Sequence, residues 1–528
     1  MLMAERAVPT YPATLWELIE QRSRETPGAT MYLDDRSRTL TFGQYRDRCE
    51  AVAAGLAVEH GVRPGDRVSW QLPTGLEAMV LLGALARLGA VQNPIIPMLR
   101  HADVDAIARQ VGPRLFVVAD RFRGFDHAAM ASELSATHGF DVLTLPWEGH
   151  DGRGLALPVG DPDALPPAPA ADGVRWIYHS SGTTAEPKGI LHTDRSVMSG
   201  GTGFTVRWGL GPSDVWPIAF PVSHIGGANN LANQLVCGHV IALFSTFDRE
   251  RTPRLMAEVG ATLLGSASPF FAAYLNAQQA SDDRLYPRLR ACVNGGAPKS
   301  AEMHARVRAE LGGKGILGSY GLTEFPIATV ASFDDSDELV AHTEGRAVPG
   351  VEMRTVDSAG RDVPAGEEGE VLLRGPQAFA GYLGPAPEDV VTPDGFVRTG
   401  DLGVIEITGH LRITGRLKDI IIRNAENISA LELEQAVASH PGVGDVAVIG
   451  LPDVSYGERA CAVVVVAEGR VVPTLSELRE HCLALGLPAQ KVPERLEVVD
   501  VLPRSSLGKV QKRDLRSRFS APAARSTS

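Results

Sequence analysis

Between Val174 and Gly189 the chain passes from VRWIYH, strand-like with β-favouring residues on both faces, into SSGTTAEPKG. A strand of that kind, followed by a turn and a stretch read as helix, belongs in an α/β arrangement of sheets and helices. Ser180, Ser181, Thr183 and Thr184 set hydroxyls around Gly182, and Lys188 closes the segment. Such a loop is either a solvated Ser/Thr turn or a cradle whose side-chain and backbone donors wrap a polyphosphate. The P-loop of nucleotide triphosphatases needs Gly-Lys-Ser/Thr opening its helix. The order here is Pro187-Lys188-Gly189, so that reading fails.

The rest of the chain supports layering. Helical spacing marks 14–24, with Thr14 as its cap, then 41–62 and 76–88. Segments 114–119 and 141–145 read as short buried strands, and the alternation predicts largely parallel sheets. Residues 152–173, rich in Pro, Gly, Ala and Asp, read as a surface connection. After Ala328 the texture turns to short strands, 369–374 and 411–413 among them. A compact block follows: strand 419–422, helix 430–440, strands 446–451 and 460–467, and helix 475–485. The expected fold is therefore α/β: a large N-terminal domain of layered sheets and helices with a β-rich third lobe (1–416), a small α+β C-terminal domain (417–519), which the resemblance given below implies is mobile, and a disordered tail (520–528). A chain of 528 residues is long enough to divide in this way.

Charge and cysteine usage narrow the function. Fifty-one Lys and Arg against 63 Asp and Glu leave a net charge of −12, which argues against a global grip on nucleic acid or anionic membrane. The longest apolar stretch is interrupted by Arg87, so no transmembrane segment is expected, and the N-terminus has no basic head before an apolar core. Five scattered cysteines form neither a disulfide framework nor a zinc ligand set, so a reduced, cytoplasmic protein is expected.

The phosphate loop keeps company with further motifs: Asn294-Gly-Gly-Ala-Pro298, Gly318-Ser-Tyr-Gly-Leu-Thr-Glu324, Arg398-Thr-Gly-Asp-Leu-Gly403, Gly415-Arg-Leu-Lys-Asp419 and Leu502-Pro-Arg-Ser-Ser-Leu-Gly-Lys509. In this order the chain resembles the adenylate-forming superfamily of acyl- and aryl-CoA synthetases, luciferases and peptide-synthetase adenylation domains. The resemblance runs from Leu40 to Lys512. One departure is Ala185, where the family has glycine.

The resemblance implies that Ser180, Ser181, Gly182, Thr183, Thr184 and Lys188 meet the phosphates of ATP, and that Gly295, Gly296, Ala297 and Pro298 lie along the adenine. It implies that Ser319, Tyr320 and Gly321 flank the base with Tyr320 stacked on it, that Thr323 bonds the α-phosphate, and that Glu324 with Thr184 holds Mg²⁺. A hard cation of this kind accepts carboxylate oxygen and keeps other positions for phosphate and water. Asp401 then grips the ribose diol, with Ile413 and Arg416 beside it. Lys509 bridges the attacking carboxylate and the α-phosphate, holding together two anions that would otherwise repel. Lys418 corresponds to the hinge about which the small domain swings between adenylation and transfer to CoA.

The thiol channel after the hinge carries Asn424-Ala425 before Glu426, where the family usually has Gly-Gly. Thioester formation is nonetheless the expectation. By resemblance His224 lines the acid's entrance, within Pro221-Val-Ser-His-Ile-Gly-Gly227, and no aspartate waits there for a substrate amine. Ile225, Gly226, Gly227, Asn230, Ser268 and Gly318 are the expected pocket wall. Its small residues predict room for a bulky apolar acid, whether fatty, alicyclic or terpenoid. Three functions are open on the sequence: an AMP-forming acyl-CoA synthetase, an adenylating enzyme that hands acyl-AMP to a carrier or partner ligase, and a non-catalytic nucleotide-binding scaffold. The intact set of motif residues argues against the last.

Overall fold

The computed structural model describes residues 8–148, 155–180, 187–296, 299–385, 389–423, 426–453, 456–504 and 510–520, with the backbone alone at 266, 268, 426 and 427. It forms two compact units, one of residues 1–353 and 373–397, the other of 354–372 and 398–528. Both residue ranges flanking Lys418 fall in the second unit, while the expected third lobe is divided between the two, 354–372 and 398–416 going to the second.

The first unit is built on three large sheets, with a two-stranded ribbon of Arg121–Phe122 and Phe125–Asp126 beside them in sequence. In the seven-stranded sheet the order is Gly381–Tyr382, Lys188–Thr193, Val174–Ser180, Val91–Pro94, Arg67–Gln71, Leu115–Ala119 and Asp141–Leu145. Its last five strands are parallel, while Lys188–Thr193 and Gly381–Tyr382 add an antiparallel edge. The segment after the phosphate loop is thus a strand, and the helix expected there, Asp194–Ser199, begins only once that strand ends. A second sheet sets Leu263–Ser266, Ala291–Gly295 and Ile316–Leu322 in parallel and continues antiparallel through Phe325–Val330 and Arg346–Ala347. A third has the order Val215–Ile218, Val240–Leu243, Thr30–Asp34, Thr39–Thr41.

Local chemistry explains the helices. Thr14 and Thr41 each close a capping box with the residue three on, Glu17 and Gln44, starting helices Leu15–Glu25 and Phe42–Glu59. Helix Leu76–Leu88 is buried at every position, as its nearly unbroken apolar sequence requires. The connection before Val174 is less superficial than its composition suggests. Gly160 N–H donates to Ala51 O at 2.8 Å, and a Cβ on Gly55 would lie 2.6 Å from the Pro158 carbonyl carbon, so this segment is pressed onto helix Phe42–Glu59.

In the second unit, strands Glu426–Ser429, Ile420–Arg423, Gly457–Val466 and Val443–Asp453 pair in that order, with Arg495–Val498 parallel to Gly457–Val466. Alternation along Val443–Asp453 feeds two cores. Val448 packs with Leu433, Val437 and Leu478 on one face, and Ala447, Ile449 and Leu451 pack with Leu515 on the other. Among the described residues no helix is long and apolar enough to cross a membrane.

Candidate active site

The loop residues Ser181, Gly182, Thr183 and Thr184 lie outside the described residues, but their anchors are clear. Ser180 and Lys188 face each other in antiparallel register, so the loop leaves and re-enters one hairpin stem. Lys188 Nζ lies 6.0 Å from the ring centroid of Tyr382, on the edge strand beyond. Tyr382 donates its hydroxyl to Glu324 Oε1 at 2.9 Å. Burial, then the Glu324 charge, pushes this phenol well above its ordinary pKa, so it stays a donor. One ring therefore joins the lysine of the first motif to the carboxylate of the third.

Thr323 and Glu324 are the two residues between paired Leu322 and Phe325, the tip of a tight hairpin. The turn demands the glycine of its motif, since a Cβ on Gly321 would fall 2.4 Å from Ile327 N. His192, buried on the Lys188 strand, donates Nε2–H to the Thr323 carbonyl at 2.7 Å and sets Nδ1 2.8 Å from Ser196 Oγ. Burial lowers its pKa to about 4, so it pins this tip as a neutral ring. On the same sheet Gly295 and Ser319 are in parallel register, which brings Gly295, Gly296, Ser319 and Tyr320 to neighbouring strand ends. Open α/β sheets bind ligands at the carboxyl ends of such strands. Ser319 Oγ donates to Asn294 O at 3.1 Å, tying the two strands, and Tyr320 is buried. Ala297 and Pro298 are outside the described residues.

His224 caps helix Ile225–Cys237, its Nδ1 accepting from Gly226 N–H at 3.2 Å. The preceding turn is latched by Thr74, whose Oγ1 donates to Phe220 O at 2.7 Å and accepts from Val222 N–H at 3.2 Å. A small cavity of about 20 Å³ opens here. Ile95, Ile96, Leu99, Ile107 and Ile225 form an apolar wall, while His179, Ser223, His224 and Thr323 bring polar groups to it. The small residues do not simply enlarge this space. A Cβ on Gly227 would lie 2.0 Å from the Val222 carbonyl oxygen. One on Gly318 would lie 2.2 Å from Glu344 Oε2 and 2.5 Å from Lys299 Nζ, a pair 3.2 Å apart of which the lysine is buried. Protein atoms thus stand at both Cβ positions, rigid backbone at Gly227 and side-chain ends at Gly318. Asn230 is buried on the same helix, and nothing is described of the Ser268 side chain.

The second unit holds its own motif residues. Asp401 and Arg416 are register partners on adjacent strands, Nε to Oδ1 2.7 Å, with the carboxylate buried and the guanidinium reaching outward. Ile413 pairs with Gly403 in the same ladder. Lys418 is exposed on a single 3₁₀ turn, Leu417–Asp419. Asn424, Ala425 and Lys509 lie outside the described residues, and of Glu426 only the backbone is described. The segment bearing Lys509 is closed at its base, where Arg504 and Val510 form a β-bridge and Gln511 N–H donates to Pro503 O at 2.8 Å.

The sequence profile of AMP-binding enzymes matches residues 19–383, and that of the AMP-binding enzyme C-terminal domain matches 432–509. The chain belongs to the AMP-binding enzyme family. It is 32% identical over 510 residues to a salicylyl-CoA synthase / salicylate adenylyltransferase of Streptomyces sp, covering 93% of this chain and 91% of the relative. It is 31% identical over 533 residues to the salicyl-AMP ligase / salicyl-S-ArCP synthetase of Mycobacterium tuberculosis, covering 97% and 92%. The ATP-bound crystal structure of MatB from Rhodopseudomonas palustris superposes with a TM-score of 0.83 at 28% identity, covering 96% of this chain and 99% of that one. This AMP-binding enzyme is an adenylate-forming ligase. Sequence reasoning passed over Tyr382 and His192. Tyr382 follows Gly381 in a short, unmarked strand, and its place beside Lys188 depends on a pairing across some 190 residues.

Proposed function

We propose that this chain activates a carboxylic acid with an apolar body at the α-phosphorus of ATP, releases pyrophosphate, and passes the acyl group from AMP to the thiol of CoA. The observation that carries the reading is the convergence of Lys188 and Glu324 on Tyr382, a cation and a carboxylate held by one ring. In this reading Lys188 and the hydroxyl loop take the phosphates, Thr323 donates to the α-phosphate, and Asp401 with Arg416 takes the ribose. Glu324 and Thr184 would hold Mg²⁺. A single described carboxylate suits a hard cation that takes most of its oxygens from phosphate and water. Bound there, the ion neutralises phosphate charge, and the protein's own share is positioning. Lys509 brings the two anions together, after which Lys418 is the joint that clears the thiol's route, with 417–519 as the moving part.

The acyl group's apolar character is supported by the isoleucine and leucine wall. Its size is left to a panel of acids. Hand-over to a carrier arm is a second reading, favoured by the relative whose name includes a carrier-bound product. All five cysteines are buried free thiols, which accords with a reducing, cytoplasmic setting. Pyrophosphate release from ATP, followed with aromatic, fatty and alicyclic acids with and without CoA, tests the proposal. Acid-dependent pyrophosphate with an acyl-CoA mass is expected. Acyl-AMP without thioester would transfer the second step to a carrier, and no acid-dependent release would overturn the reading.

A further inference from the structure

A chain of hydrogen bonds inside the seven-stranded sheet ends at one imidazole nitrogen that has no partner among the described residues. Ser69 Oγ donates to Asn93 Oδ1 at 2.8 Å from the neighbouring parallel strand. Asn93 Nδ2 donates to Ile177 O at 2.8 Å and lies 3.2 Å from His179 Nδ1. The carbonyl of Ile177 can only accept, so the amide nitrogen must face it; a flipped amide would set two oxygens against each other. The second hydrogen of that nitrogen then points at His179 Nδ1, which must carry its lone pair. The neutral ring accordingly holds its proton on Nε2. That Nε2 is buried and has no partner among the described residues, a condition native proteins seldom leave unexplained.

His179 lines the cavity that Ser223, His224 and Thr323 also line. Ser223 Oγ is likewise buried without a partner among the described residues. The Gly226 N–H fixes the His224 tautomer in the same sense, proton on Nε2. Two imidazole-bearing residues and a serine thus line one cavity together with isoleucines and a leucine. At about 20 Å³ the cavity takes only a small head group, and its neutral donors suit one that accepts hydrogen bonds, as an ionised carboxylate does.

We propose that His179 is a substrate-contacting residue, its Nε2–H donating to a carboxylate oxygen of the acid beside the Ser223 hydroxyl, with Asn93 the positioning residue that holds the tautomer. The inference rests on the adenylation reading above and names the groups that receive the acid. Neutral donors suit the chemistry: they orient the carboxylate without neutralising the oxygen that must attack phosphorus. Burial holds the His179 pKa down to about 4. A second ring proton would also meet the Asn93 amide hydrogens, so both effects keep the ring neutral.

The test compares acid-dependent pyrophosphate release by the full-length wild type, His179→Leu and His179→Gln, using the acid preferred by the wild type. Losing one hydrogen bond to a charged group corresponds to roughly a 10- to 150-fold fall in kcat/KM for the acid. The fall should be seen in His179→Leu, with KM for ATP within about twofold of wild type. Gln, whose terminal amide also donates, should recover most of that loss. ¹⁵N spectra of the wild type should show His179 protonated on Nε2 alone at pH 7. An active wild type beside a folded His179→Leu with unchanged kcat/KM for the acid would overturn the proposal. So would Gln faring no better than Leu, or a proton found on Nδ1. An inactive wild type would instead count against the adenylation reading.

Discussion

Gly226 and Gly227 are adjacent in the first turn of helix Ile225–Cys237, yet the structure assigns them opposite tolerance to a methyl group. A Cβ on Gly227 would sit 2.0 Å from the Val222 oxygen, 2.7 Å from its carbonyl carbon and 2.8 Å from its Cα. All three are backbone atoms, and that backbone is latched by Thr74, so relief requires a shift of more than an ångström. On Gly226 the nearest atoms are His224 Nδ1 at 3.3 Å and Phe220 Cε2 at 3.6 Å, both on side chains that can yield. Replacing glycine by alanine in a helix contributes up to about 1 kcal/mol of stability. Overpacking costs roughly 1–3 kcal/mol, and more against rigid backbone. Gly226→Ala should therefore be neutral or slightly stabilised, and Gly227→Ala destabilised by about 1–3 kcal/mol. Urea midpoints at constant m-value measure the difference. A Gly227→Ala protein as stable as wild type that selectively rejected larger acids would refute the argument and return Gly227 to the acyl pocket.

Further outcomes follow from the same geometry. Tyr382→Phe removes the donor to Glu324 and should lower kcat/KM by about 10- to 150-fold, the value of one hydrogen bond to a charged group, while raising the Mg²⁺ needed for half-maximal rate. An unchanged Mg²⁺ titration would separate Tyr382 from the carboxylate proposed to hold Mg²⁺. His192 and His239 are held neutral at about 4 by burial, against about 6.5 when unfolded. The unfolded chain therefore takes up protons first, and stability should fall as pH drops from about 6.5 toward about 4, by about 3 kcal/mol per ring at the limit. Urea midpoints across that range check this, and His239→Leu should flatten the limb; stability rising on acidification would contradict it. Lys509→Ala should abolish most acyl-AMP formation and leave ATP binding by calorimetry within a few-fold of wild type. Near-normal adenylate formation would show that the lysine's role lies elsewhere.

Much of this was legible residue by residue. Thr14 announces the start of its helix, and 76–88 is too apolar to be anything but buried. The Gly-x-Thr-Glu motif marks its turn because only glycine fits beside Ile327 N. What stayed hidden depends on partners distant in sequence. The stretch after the phosphate loop reads as helix until Val174–Ser180 is seen to pair with it. Gly318 looks like open space until the Lys299–Glu344 pair is placed over it, and the proton of His179 is decided by an amide 86 residues away. The same fold-level pairing puts Tyr382 between Lys188 and Glu324.

The central claim is that a carboxylate oxygen of the substrate attacks the α-phosphorus of ATP. The most direct test supplies the preferred acid labelled with ¹⁸O in its carboxylate and follows the label by mass spectrometry after one turnover with CoA. One ¹⁸O is expected in AMP and none in pyrophosphate, because the oxygen that attacks phosphorus leaves with AMP. Label in inorganic phosphate with ADP as co-product, or AMP released without label, would contradict it.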